Sequence, residues 1–415
     1  MLDRRCSLGC FVLLLCPPLL FGADVSWPQW RGPDRNDVST ETGLLKEWPP
    51  SGPQQLWVNK DVGLGYSGVA IVGGKLFTMG ARADTEFLFC LDVNDGSELW
   101  AARLGTRLDN GWGDGPRGTP FVDGDTVYAM GGQGTLVCAT VADGEVRWRK
   151  TMSEFGGKKP GWGYCESVLV DGPKVVCTPG GGQGAIVAFN KIDGEVIWQS
   201  HEFTEKAAYS SVVPVEWNGQ RQYVQLFQDS LVGIAADNGK LLWRTDWPGK
   251  TAVIPTPIYH EGHVFITSGY GVGCKLVKLG DANKVEDIYF NKNMKNHHGG
   301  VVLVGDHLYG HSDGGGWMCL DFKTGEVVWN EKSALGKGCL TCVDGLLYCV
   351  DERDGTVALV EASPAGWKEH GRFKLEPQTT RRSPKGRIWT HPVVCNGKLF
   401  LRDQELLSCY DVKAK

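Results

Sequence analysis

Short apolar runs alternate along this chain with breaks rich in Gly, Asp and Asn. Runs of strand length between turn residues predict many β-strands. One spelling recurs without gaps in five segments: a small residue, then Gly six positions on, then Trp ten positions on. The five are Cys90, Gly96 and Trp100; Cys138, Gly144 and Trp148; Ala188, Gly194 and Trp198; Gly233, Gly239 and Trp243; and Cys319, Gly325 and Trp329. The spacing describes a β-hairpin. An apolar strand ends near Asp or Asn, a Gly with positive φ reverses the chain, and the second strand carries the Trp. Two more apolar runs precede each hairpin, as at Gly118–Val122 and Thr126–Met130. Four strands per repeat make one propeller blade.

The spacing of Trp57, Trp100, Trp148, Trp198, Trp243 and Trp329 suits one blade per Trp. The interval from Trp243 to Trp329 holds two blades, the first ending at Tyr289 and Phe290 in place of Trp. A further degenerate copy runs from Gly338 to Phe373. The last, from Thr390 to Val412, has three strands and lacks its Gly and Trp. Its missing outer strand is available at Gln55–Val58, which has a Trp but no hairpin before it. Pairing of these two ends closes the ring and removes the exposed edges of an open array. The expected fold is therefore all-β: an eight-bladed β-propeller of four-stranded blades, with seven as the alternative count.

Composition adds boundaries. The chain has 415 residues with 57 Gly and 16 Trp, enough for one large repeat array. A net charge of −5 gives no global basic patch, so nucleic acid is excluded as a main partner. Residues 1–23 read as an export signal: Arg4 and Arg5, an apolar run from Leu8 to Phe21 broken by Pro17 and Pro18, then Gly22 and Ala23. An uncleaved anchor is the other reading. No later stretch is apolar enough to span a bilayer. Residues 24–54 form an N-terminal extension packing on the propeller, which occupies residues 55–415. The Trp27–Trp30 rings either pack on the propeller edge or gate its channel. Expected localisation is periplasmic or extracellular, and the protein is expected to be a monomer. Of the 14 Cys, Cys90, Cys138, Cys319 and Cys409 fill the small position of the repeat, a tight packing site. Cys339 and Cys342 resemble a CxxC, but on a strand they face opposite ways, so no metal site is expected there.

Blade topology puts the start of every innermost strand around the channel mouth. That ring reads Tyr66 and Ser67, Arg117, Tyr164 and Glu166, Tyr209 and Ser210, Thr256, His297 and His298, Lys337, and Trp389 and His391. Neighbouring loops add His311, Asp313, Asp351, Glu352, Arg353, Arg402 and Asp403. Aromatic platforms, bidentate Arg and titratable groups suit a polar ligand such as a sugar or an acid. The ligand-binding candidates are Arg117, Tyr164, Glu166, Tyr209, His297, His298, Lys337, Trp389, His391 and Arg402. Glu166 and His298 are the candidate general bases. Metal ligation by His297 or His298 with His391 and Glu166 is conceivable, but no metal is assigned. The stretch Thr379–Arg387 carries Arg381, Arg382, Lys385 and Arg387. It is either a solvated loop or a contact for an anionic partner or glycan.

The pattern small-Leu-Asp-x-x-Thr/Asp-Gly-Glu/Lys-x-x-Trp resembles the repeat of pyrroloquinoline-quinone (PQQ) dehydrogenases and of the outer-membrane assembly lipoprotein BamB. Trp27-Pro-Gln-Trp-Arg-Gly-Pro33 and Tyr289–Gly300 are similar to a subgroup of exported PQQ-like propellers labelled alcohol or polyvinyl-alcohol dehydrogenases. The resemblance implies one of two functions. One is a ligand- or protein-binding module that works through its channel face, with a small polar ligand (a sugar or alcohol) or an envelope protein as partner. The other is a dehydrogenase using PQQ with calcium to oxidise an alcohol or sugar. The adjacent Cys-Cys pair, the C-x-x-C-H haem motif and a calcium-ligand motif of those enzymes are absent here.

Overall fold

The computed structural model describes residues 25–415. The export-signal reading of residues 1–23 lies outside the described residues. Eight antiparallel sheets follow one another along the chain. Their innermost strands are Ala70–Val72, Phe121–Asp123, Leu169–Asp171, Val213–Trp217, Ile258–His260, Val301–Val304, Gly338–Val343 and Val393–Cys395. These begin blades 1 to 8. The chain then runs outward strand by strand, so two sets of loops alternate between the faces of the ring. Apolar clusters fill the spaces between adjacent blades.

The repeat is a clasp between blades. Each small residue lies opposite the Trp of its own hairpin: Cys90 pairs with Trp100, Cys138 with Trp148, Ala188 with Trp198, Gly233 with Trp243 and Cys319 with Trp329. An indole leaves room for nothing larger. The indole then reaches the next blade. Trp100 Nε1 donates to Val141 O at 3.2 Å, Trp148 to Lys191 O at 3.1 Å and Trp198 to Ala236 O at 3.2 Å. The ring lies on that blade's turn Gly. A Cβ at Gly144 would come within 2.5 Å of Trp100, and one at Gly239 within 2.5 Å of Trp198. These glycines also hold φ near +75°, so both backbone and space require Gly. Each such hydrogen bond contributes about 1 kcal/mol net. Tyr289 takes the Trp role in blade 5, donating to Phe322 O at 3.0 Å. Trp243 departs from the rule and donates to Gln222 within its own blade at 2.6 Å.

The ring closes as its two ends require. Gln54–Asn59 pairs antiparallel with Leu406–Asp411 as the fourth strand of blade 8, with Trp57 opposite Cys409. Trp57 Nε1 donates to Val93 O of blade 1 at 3.2 Å, so the closing strand brings its own clasp.

The N-terminal extension does more than pack on the propeller. Val25 bonds to Asn396 at the turn between the first two strands of blade 8. Trp27 bridges to Ile71, and Pro28 O accepts from Val122 N at 2.8 Å. The chain turns at Arg31–Arg35 and returns as Val38–Ser39, which adds in parallel to the inner edge of blade 7. Residues 27–39 therefore form a hairpin inserted into the central channel from the face bearing these turns. Arg35 donates to Ser167 O at 2.8 Å and Val168 O at 3.2 Å, and Arg31 donates to Val301 O at 2.6 Å. Arg31 is ion-paired to Asp37 at 3.0 Å, with both side chains almost fully buried. Trp27 is buried between blades 1 and 8, and Trp30 stands at the hairpin tip. Neither ring lies on the outer edge.

Candidate functional site

The hairpin makes the channel a blind cup. On the face opposite its entry, a cavity of about 350 Å³ opens around its tip. This is within the usual range of ~300–1,000 Å³ for small-ligand pockets. The floor is Trp30, whose Nε1 donates to Thr256 Oγ1 at 3.0 Å and whose ring lies 4.6 Å from His391. Trp112, Trp162 and Trp389 stand in the wall with Tyr66, Tyr209 and Tyr270. Tyr66 packs on Trp389 at 5.0 Å and Trp162 on Tyr209 at 5.6 Å.

Two polar chains back this wall. Glu352 accepts from His298 Nε2 at 2.5 Å and from Trp389 Nε1 at 3.1 Å. Burial alone would raise the Glu352 carboxyl. The bonds from His298 and Trp389 and the nearby Lys337 charge outweigh it and hold the carboxyl at about 2. Burial lowers His298, against the pull of Glu352. Nε2 of His298 carries the proton it donates to the Glu352 carboxylate. In the second chain Lys337 is ion-paired to Asp313 at 2.7 Å and donates to His297 Nδ1 at 2.8 Å. An ammonium can only donate, so His297 carries its proton on Nε2, 2.9 Å from the Tyr270 hydroxyl. Burial, with His298 and Lys337 beside it, pushes His297 down to about 3. His391 Nε2 bonds to His298 O at 2.9 Å, and its Nδ1 lies 3.2 Å from Asp37. The hairpin and the pocket wall therefore share one network.

Arg117 spreads over Tyr66, 5.2 Å from its ring centre. It donates to Trp162 O at 2.6 Å, Gly113 O at 2.8 Å and Gly115 O at 3.2 Å. Guanidinium has five N–H groups, so two remain.

Of the residues predicted from sequence, Arg117, Tyr209, His297, His298, Trp389 and His391 line the cup. Lys337 stands behind His297. Tyr164, Glu166 and Arg402 are elsewhere, and none of them lines it. Tyr164 is buried between blades 2 and 3, donating to Pro179 O at 3.1 Å. Glu166 is also buried and accepts from Thr178 N at 2.7 Å and Thr178 Oγ1 at 3.0 Å. Burial pushes it up to about 7, against the lowering by Thr178 and Arg35. Arg402 binds backbone oxygens of Gly63, Ser67 and Met79 and ties blade 8 to blade 1. Glu166 is thus separated from the histidines it was grouped with as a metal set. No group of three or more His, Cys, Asp or Glu suited to an ion occurs among the described residues.

Of the two places given for the Trp27–Trp30 rings, Trp30 takes the channel, while sequence reasoning missed Trp112 and Trp162 in the wall. The last two share a signal. Each lies in a Gly-Trp-Gly triplet, at Gly111–Gly113 and Gly161–Gly163, in the loop entering the next blade. The Gly after each Trp has positive φ, +129° at Gly113 and +81° at Gly163. A Cβ at Gly113 would come within 2.2 Å of the Tyr66 hydroxyl.

A calcium-held PQQ, implied by the sequence resemblance, needs carboxylate and amide oxygens around the ion. Among the described residues no Asp, Glu, Asn or Gln lines the cup. Glu352 behind the wall already accepts two bonds. Cys165 is the single cysteine in the lining, where a paired-cysteine platform needs two. The donor set does not fit that group.

An eight-bladed ring of four-stranded sheets, clasped by Trp and Gly and closed by an N-terminal strand, is the architecture of PQQ-repeat propellers. The chain belongs to the family described as outer membrane protein assembly factor BamB, whose family model matches residues 54–331. No curated protein matches it. Among solved structures it is similar to BamB from Moraxella catarrhalis, with 14% identity and a TM-score of 0.59 over 84% of this chain and 94% of that one. It is also similar to the quinohemoprotein alcohol dehydrogenase of Comamonas testosteroni, with 11% identity and a TM-score of 0.63 over 94% of this chain and 81% of that one. The computationally designed protein Ika8 matches with 10% identity and a TM-score of 0.59, over 86% of this chain and all of that one. At these identities the structural likenesses show the fold.

Proposed function

We propose that this is an exported binding propeller that holds a small polar ring, of the sugar class, in its blind cup. The observation that carries the reading is the cup itself. Four Trp and three Tyr side chains surround a space of about 350 Å³, with the two remaining N–H groups of Arg117 and the Tyr270 hydroxyl supplying polar atoms. Indole faces are electron-rich and take up the C–H face of a sugar ring, while its hydroxyls meet the polar groups. The N-terminal apolar segment and the BamB family support export. The family description also supports a second reading, assembly with an envelope protein. Exposed Val196, Ile197, Val327 and Val328 on outer strands favour it.

The test is titration of the purified protein with a panel of mono- and disaccharides, read by calorimetry and tryptophan fluorescence. A parallel arm uses PQQ with calcium and a dye-linked assay on alcohols. Saturable sugar binding that Trp112→Ala, at an exposed ring of the wall, weakens at least about tenfold, with the melting temperature nearly unchanged, is the expected result. Tight PQQ binding with turnover would replace this reading by the dehydrogenase. Absence of any ligand, with stoichiometric capture of an envelope protein, would favour the second reading.

A further inference from the structure

Charge around the cup is one-sided. Among the described residues, no carboxylate lines it. Glu352 and Asp313 lie behind the wall, bound to His298 and Lys337. Arg117 has no ion-pair partner among the described residues and uses three donors on carbonyls; the buried Glu86 carboxylate that feels its charge is already bound by Leu108 N and Gly132 N.

The basic loop 379–387 adds to this rim. Ser383 Oγ donates to Gly111 O at 2.7 Å, and Gly386 sits so close that a Cβ there would lie within 2.8 Å of the Tyr66 hydroxyl. Both contacts dock the loop on the mouth beside Trp112. Lys385 Nζ lies 5.8 Å from the Trp112 ring centre, and among the described residues Arg387 bonds only to carbonyls of its own loop. Among the described residues, Arg382 alone of this cluster has an ion-pair partner, Asp403. Asp403 and Glu405, which bind this loop, are engaged by Arg382 and Thr379, and Asp109 and Asp114, in the segment that carries Trp112, pair with Arg107.

We propose that the ligand of the cup is an anionic sugar, carrying a carboxylate or a sulfate. Its ring stacks on the Trp wall and its charged group faces Arg117 and the Lys385 rim. This rests on the binding reading above and names the class of ligand for that site. Arg donors bind such oxyanions through short, charge-assisted hydrogen bonds, and a Lys at the rim adds a point charge. A neutral sugar would leave the rim charges unmet.

The experiment compares matched probes by calorimetry on the full mature chain. Glucuronate is set against glucose, and N-acetylglucosamine 6-sulfate against N-acetylglucosamine. An acidic sugar is expected to bind about tenfold or more tightly than its neutral twin, and to weaken as salt is raised from low to physiological strength. The acid that binds tells carboxylate from sulfate. Lys385→Glu and the pair Lys385→Glu/Arg387→Gln, both on the loop surface, are expected to narrow that preference about tenfold while the melting temperature holds. Equal binding of acidic and neutral twins overturns the inference and leaves the binding reading standing. Binding of neither overturns both. Displacement of the acidic sugar by PQQ at far lower concentration assigns the positive rim to a quinone and overturns the inference.

Discussion

Glu166 shows how a single residue can serve the fold while resembling a catalytic base. Its carboxyl is buried beside blade 3, satisfied by Thr178, and titrates at about 7 against an ordinary 4.5. Between those values the folded chain keeps a proton that the unfolded chain releases. Stability from this group is therefore full below about pH 4.5 and falls as pH rises through 7. His297 and His311, lowered by burial to about 3 and about 4, act in the opposite sense. Their contribution is present above the ordinary value of 6.5 and is lost as pH falls toward the folded values. The wild type blends both trends. Glu166→Gln is expected to remove only the first, so its melting temperature relative to wild type should rise steadily from pH 5 to pH 8. Thermal melts across that range check this, and a constant difference would mean that Glu166 is already ionised in the fold.

At the scale of elements, two N-terminal pieces do different work. The hairpin at 27–39 supplies the floor of the cup, and the strand Gln54–Asn59 closes the ring. Truncation through Ser39 is expected to leave a closed ring that has lost ligand binding with Trp30. Truncation through Val58 also strips blade 8 of its outer strand and exposes an unpaired edge. It should melt earlier than the shorter truncation and aggregate, as light scattering during a thermal ramp would report. Within the hairpin, Asp37 compensates the buried Arg31 charge. Asp37→Ala leaves that charge unpaired, and a loss of about 3–5 kcal/mol in chemical denaturation is expected. A loss below about 1 kcal/mol would show that water reaches Arg31.

For the whole molecule, legibility follows the range of the interactions. The blades could be read because small residue, Gly and Trp lie within one hairpin, and the pairing of Trp100 with Cys90 is local. The missing strand of the last copy announced the closure. The clasp partners were hidden, since Trp100 meets Gly144 only when two blades stand side by side. Strand starts pointed correctly toward the channel at His298 and Trp389. They misled at Tyr164 and Glu166, because the starts of innermost strands alternate between channel and blade interior. Sequence by itself determined the all-β class, the eight blades and the strand that closes them, through periodic patterns that short-range hairpin physics enforces. Only the tertiary structure decided where the N-terminal hairpin goes and which side chains share the cup. Trp30 meets His391, and loop 379–387 meets Trp112, because ring closure brings distant chain segments together around one axis. No local pattern encodes such meetings.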